Sequence, residues 1–172
     1  GTFGTTNIEG AVTGALSDTV SARFSGLYQR RADWVDNTFT GEDDALEGYK
    51  EYAARLQVLI KPSENFEALL NVHTRHLDGT ARLFRANIIT PGDNELVPGF
   101  ERDKISIDGD NYQKLDQTGA NARLTWNFGS TSLFSITGYE SVDTISRGDI
   151  DGGYGAVFLP ISGPGFIPFA AE

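Results

Sequence analysis

Cysteine and methionine are both absent from the 172 residues. Without cysteine there is no disulfide scaffold, no zinc–thiolate centre and no thiol nucleophile. Basic side chains are scarce: 14 Lys and Arg stand against 24 Asp and Glu, a net charge of −10. That balance excludes the electrostatic footprint of a nucleic-acid binder. No run approaches the ~18 consecutive apolar residues of a membrane-crossing helix. The first residues also lack the basic-then-apolar pattern of a signal peptide. A chain that opens on Gly1 is expected to be processed or part of something longer. Hydrophobic residues, at 39%, are few for a soluble core, while the 20 glycines are many. Together they favour a single β domain whose apolar surface is thin and one-sided.

What the sequence does have is alternation. Six segments, at about 3–15, 19–34, 49–60, 66–77, 117–127 and 131–145, read as antiparallel strands forming three hairpins. Short turns join the strands of each hairpin, and loops 35–48, 78–116 and 146–172 follow the hairpins. Pro62 and Gly129 mark two of the turns. The period of two predicts that Phe24, Ala54, Leu56, Val58, Leu70, Ala122, Leu124 and Trp126 share one face. Arg23, Arg55, Gln57, Asn71, Arg75, Asn121 and Arg123 share the other. The first strand alternates weakly. The sixth is ambiguous, with Phe134, Ile136 and Gly138 assigned to the apolar face and Tyr139 to the other.

These strands exceed the usual ~5–6 residues and match the ~9–11 of a tilted bilayer crossing. Small and aliphatic residues fill the middle of the apolar rows. Aromatics gather at the ends: Phe66, Trp126 and Phe128 near the short turns, Tyr28, Trp34, Tyr49 and Tyr52 near the long loops. Two aromatic girdles, short turns on one side and long loops on the other describe a transmembrane β-barrel. Arg23, Arg55, Arg75 and Arg123 are then lumen-facing, because an Arg on the lipid face costs ~2–4 kcal/mol at mid-bilayer. A soluble antiparallel sheet packed on a second layer is the alternative architecture.

Few residues suggest chemistry. His73 and His76 lie three apart, on opposite faces of a strand, so they cannot chelate one ion. Asp108-Gly109-Asp110 and Asp149-Ile150-Asp151-Gly152-Gly153 resemble calcium loops but lack the remaining ligands, and they read as solvated turn acids. Arg147-Gly148-Asp149 spells an adhesion tripeptide, a triplet that arises by chance. No nucleophile–base pair or paired carboxylates show catalytic spacing, so the expectation is no enzyme, no cofactor and no metal. Ligand recognition is expected in the long loops, with Arg82, Phe84 and Arg85 offering charge and stacking and Phe158, Phe166 and Phe169 apolar contact.

Gly4 to Val12, then Gly14-Ala15-Leu16-Ser17-Asp18 and Ala22-Arg23, resemble the first barrel hairpin of TonB-dependent outer-membrane receptors. Tyr52 to Gln57 with Lys61 to Phe66 is similar to the second hairpin, and Ser135 to Glu140 to a later strand. The resemblance implies an outer-membrane importer of a Gram-negative bacterium, taking up a small-molecule nutrient complex such as a ferric siderophore. Its implied partners are outer-membrane lipid, the rest of the barrel, a plug domain, and an inner-membrane TonB-type energy coupler acting through that plug. The chain carries no plug or coupler-contacting segment, and six strands of the ~22 in a full barrel amount to its N-terminal arc. A small autonomous outer-membrane barrel or adhesin, and a soluble carbohydrate-binding β domain, are the other functions the sequence allows.

Overall fold

The computed structural model describes residues 1–80 and 83–153, with the backbone of 170 and 171. The chain is all-β apart from a 3-10 turn at Thr2–Gly4. In order, the strands are β1 (Thr6–Ala15), β2 (Val20–Arg31), β3 (Val35–Asn37), β4 (Glu42–Leu46), β5 (Tyr49–Ser63), β6 (Phe66–Gly79), β7 (Lys104–Ile105), β8 (Tyr112–Phe128), β9 (Thr131–Asp149) and β10 (Ala170–Ala171). Six of them form an antiparallel meander, β1-β2-β5-β6-β8-β9, with β10 beside β9. Among the described residues this sheet is open rather than closed into a barrel.

Local chemistry explains the hairpins. Gly129 has φ +66 in the two-residue turn between β8 and β9, a conformation that costs a glycine little. Pro62 lies inside β5, not in the turn, and the β5–β6 register shifts between Ile60 and Ser63. A residue without an N–H donor is tolerated at such a bulge.

Directly paired residues share a face, so the register fixes both faces. One row runs Val12, Phe24, Leu56, Val72, Ala120, Tyr139, and the apolar set expected above falls on that face throughout. The polar row beside it runs Thr13, Arg23, Gln57, Asn71, Asn121, Gly138. β9 differs from the expectation. Tyr139 opposes Ala120 on the apolar face, whereas Phe134, Ile136 and Gly138 oppose Thr125, Arg123 and Asn121 on the polar one. Apolar side chains occur on both faces of β9, so its parity comes from pairing with β8 alone.

The segments read as loops carry strands of their own. β8 starts at Tyr112 and β9 runs to Asp149, which shortens both flanking loops. Segments 35–48 and 80–111 join in a second sheet, β4-β3-β7, in which β3 and β7 pair parallel. Its core is Val35, Leu46, Ile105 and Ile107, with Trp34, Ala45 and Leu83 packed against it. Asn37, itself buried, donates to Ile107 O at 3.0 Å and accepts from Ile107 N at 3.2 Å, a side chain acting as a strand. On the large sheet Ala68 is the one buried apolar residue among those described, and Phe24, Leu56, Val72 and Trp126 stand about half exposed. The hydrophobic core therefore sits in the loop cap, while the apolar face of the main sheet is bare.

Candidate functional site

Residues of β1, β2, β5, β6 and β8 line one open hollow of about 620 Å³ on the polar face, where long side chains stand around small ones. Arg23, Arg55 and Arg75 project into it, joined by Glu9, His73 and Gln117. Arg23 Nη1 donates to Thr13 Oγ1 at 3.0 Å. Arg75 Nε donates to Glu51 Oε1 at 2.7 Å. Arg55 has no side-chain partner among the described residues. Arg123 shares the face but lies outside the concavity, between Leu69 and Ile136.

A polar chain crosses β6, β8 and β9 beside the arginines. Asn71 Nδ2 lies 3.1 Å from His73 Nδ1, and an amide NH₂ only donates, so Nδ1 accepts. Nε2 then carries the proton and meets Glu140 Oε1 at 3.2 Å, where Gln117 Nε2 also donates at 2.8 Å. Glycine at 119 makes this possible: a Cβ there would lie 2.1 Å from Glu140 Oε2. Asn71 Oδ1 is buried without a partner among the described residues. His76 faces the other side, stacked on Tyr52 with centroids 4.8 Å apart and 2.5 Å from Asp116 Oδ1. The two histidines therefore lie on opposite faces, as their spacing implied.

The loop residues divide differently. Arg82, Phe158, Phe166 and Phe169 lie outside the described residues. Phe84 is exposed. Arg85 is engaged within the cap: its guanidinium donates to Lys104 O and, at 2.8 Å, to Arg102 O, and it sits 5.8 Å from the Phe100 ring centroid. Burial, the largest influence, pushes its pKa down, with Glu47 opposing. These contacts hold segment 100–104 against the loop.

The two aspartate motifs are distant in the sequence, but the fold brings them together. Asp108, Asp149 and Asp151 place carboxylate oxygens within 4.8 Å of one another. Asp149 and Asp151 are buried, not solvated. Asp149 accepts from Gly109 N at 3.1 Å and from Gly152 N at 3.0 Å, and Asp151 accepts from Gly153 N at 3.3 Å. Burial first, and then the hydrogen bond to Asp149, push the Asp151 carboxyl up to about 6. An all-carboxylate set suits a hard cation such as Ca²⁺, which takes 6–8 oxygens, of which this cluster supplies part. The motif spacing alone could not reveal the convergence, since 40 residues lie between Asp108 and Asp149. Burial also removes Asp149 of the Arg147-Gly148-Asp149 tripeptide from presentation to an adhesion partner. No protein-family model, curated protein or solved structure matches this chain.

Proposed function

We propose that the chain forms part of the wall of a transmembrane β-barrel in the outer membrane of a Gram-negative bacterium, belonging to a TonB-dependent importer of a nutrient complex. The carrying observation is the zoning of the exposed apolar face. Phe66, Trp126 and Leu133 form one cross-strand row. Tyr28, Tyr52 and His76 form another. Phe66 to His76 is a ten-residue step, and so is Trp126 to Asp116. At about 3.3 Å per residue this is ~33 Å along the strand. Tilted by about 40°, it spans ~25 Å, the height of the apolar band of outer-membrane barrels. Beyond the upper belt the next row is charged, with Arg30, Lys50, Asp78 and Lys114, as suits the headgroup level. The opposite face carries Arg and His around an open hollow, the character of a lumen wall. A barrel wall acts by exclusion and selection: the lipid face anchors it, the polar face meets the cargo or a plug, and the cap narrows one end.

None of these 172 residues is a cysteine, so each label introduced here reports one position of the sheet once any cysteine elsewhere in the protein is replaced. Single cysteines at positions 54 to 58 and 70 to 74 are spin-labelled in full-length protein reconstituted in lipid. Labels at Leu56, Val58, Leu70 and Val72 should be accessible to oxygen, and those at Arg55, Gln57, Asn71 and His73 to a water-soluble relaxer. Accessibility without a period of two would refute the membrane wall. The importer reading is tested separately by deleting the gene, which should abolish uptake of one nutrient complex under scarcity.

A further inference from the structure

We propose that the arginine stripe on the polar face binds a small polyanion, one whose two carboxylate or phosphate groups bridge Arg23 and Arg55. This deepens the importer reading and rests on it, because the concavity faces the lumen there. Arg23 opposes Gln57, and Arg55 opposes Ser25 and His73. Arg55 is thus the diagonal neighbour of Arg23, and Arg75, opposite Ala53, is the diagonal neighbour of Arg55. Diagonal neighbours are ~7–8 Å apart, within reach of long side chains. Three guanidinium groups therefore cross β2, β5 and β6 in a slanted line.

Only one end of that line is neutralised. Arg75 is paired with Glu51. Among the described residues Arg23 meets only the uncharged Thr13 hydroxyl, and Arg55 meets no side chain. The acid lining the same hollow, Glu9, opposes Leu27 on β1, four residues along the strand from Thr13. Two cations without an ion pair among the described residues, in a hollow holding one carboxylate, stand out in a chain of net charge −10. Small residues, Ala11, Ser25 and Ala53, leave the floor open between them. A concavity of about 620 Å³ lies within the ~300–1,000 Å³ of small-molecule sites. Guanidinium forks recognise carboxylate and phosphate bidentately, so the geometry favours a dianion over a single charge.

The test uses the full-length protein in lipid vesicles, with insertion measured first by protease protection. Succinate and pyrophosphate are then titrated calorimetrically, with acetate as the one-charge control. At least one dianion should bind saturably, and acetate should bind about tenfold more weakly or not at all. Arg23→Ala and Arg55→Ala should each weaken the dianion about tenfold. Arg55→Lys, which keeps charge and fold, should weaken it less, and Arg123→Ala, outside the hollow, should leave it unchanged. Which dianion binds identifies carboxylate or phosphate as the recognised group. Inserted protein that binds neither dianion, or binds acetate equally well, overturns the anion site alone. So does equal binding by the Arg23 and Arg55 variants, or equal loss in Arg123→Ala. Protein that fails to insert overturns the membrane reading and this site with it.

Discussion

At the scale of single residues, the loop junction near Asp149 carries the strongest constraints. Gly152 has φ +72, and a Cβ there would lie 2.7 Å from Ala86 N and 2.9 Å from Arg85 N. Both neighbours are backbone, and Ala86 N donates to Gly152 O at 2.9 Å, so neither can withdraw cheaply. Gly152→Ala should therefore destabilise the cap by ~2–4 kcal/mol, combining left-handed strain with overpacking. Faster proteolysis in segments 80–111 and 147–153, at unchanged cleavage elsewhere, would report it. Asp151 adds a pH dependence. Its carboxyl titrates at about 6 in the fold against an ordinary 3.8, so the folded protein holds the proton more tightly than the unfolded chain. Its contribution to stability is complete below pH ~4 and is lost as the pH rises through about 6. Protection of the Gly109 and Gly152 amides, both bonded to Asp149, should fall between pH 4 and 7. Asp151→Asn should abolish that fall, and a flat profile in the unaltered protein would refute the assignment. Neither effect was legible in the sequence, where each aspartate stands in a polar loop and nothing local says that two loops meet.

Among the elements, legibility followed the range of the interaction that defines each one. β2, β5, β6 and β8 were readable because an uninterrupted period of two is a local property of each strand. β9 was not: Leu133, Tyr139 and Ile145 face one side and Phe134, Ile136 and Val142 the other, so only its register with β8 decides. The cap was invisible because β3 has three residues and β7 two, and their parallel pairing joins Asp36 to Lys104. Of the candidate site, parity was enough to put the four arginines on one face of the sheet, but their diagonal arrangement needed the register between strands. That register makes a sharp prediction for paired positions. Leu70 and Asn71 are adjacent on β6 with opposite orientations. Leu70→Arg should cost ~2–4 kcal/mol in a bilayer, the depth-dependent penalty for a lipid-facing charge. Gln57→Arg, on the polar face beside Arg23, should cost well under that. Urea-driven unfolding from lipid vesicles measures both, and equal costs would show that neither face is in hydrocarbon.

For the whole molecule, the decisive question is what covers the apolar face. Soluble sheets bury one face against a second layer, and that burial supplies most of their stability. Here the described apolar core belongs to the cap, whereas the main sheet exposes Ile8, Val12, Phe24, Tyr52, Leu56, Val72 and Trp126. Contiguous exposed apolar patches beyond a few hundred Å² mark an interface with protein or membrane. β1 adds an edge with hydrogen-bonding groups on its outer side among the described residues, a template for pairing with another chain. A bilayer would satisfy the face, and neighbouring strands of a barrel would satisfy the edge. In aqueous buffer neither is satisfied, so the chain should associate or precipitate, and detergent above its critical micelle concentration should yield a defined particle rich in β structure. Light scattering with and without detergent, followed by circular dichroism, distinguishes the cases. A monodisperse monomer in plain buffer that unfolds cooperatively would mean that the apolar face is tolerated in water, and the membrane wall would have to give way to a soluble β domain. Dependence on detergent would leave the ~25 Å spacing of its aromatic belts as the simplest account of why this sheet is bare.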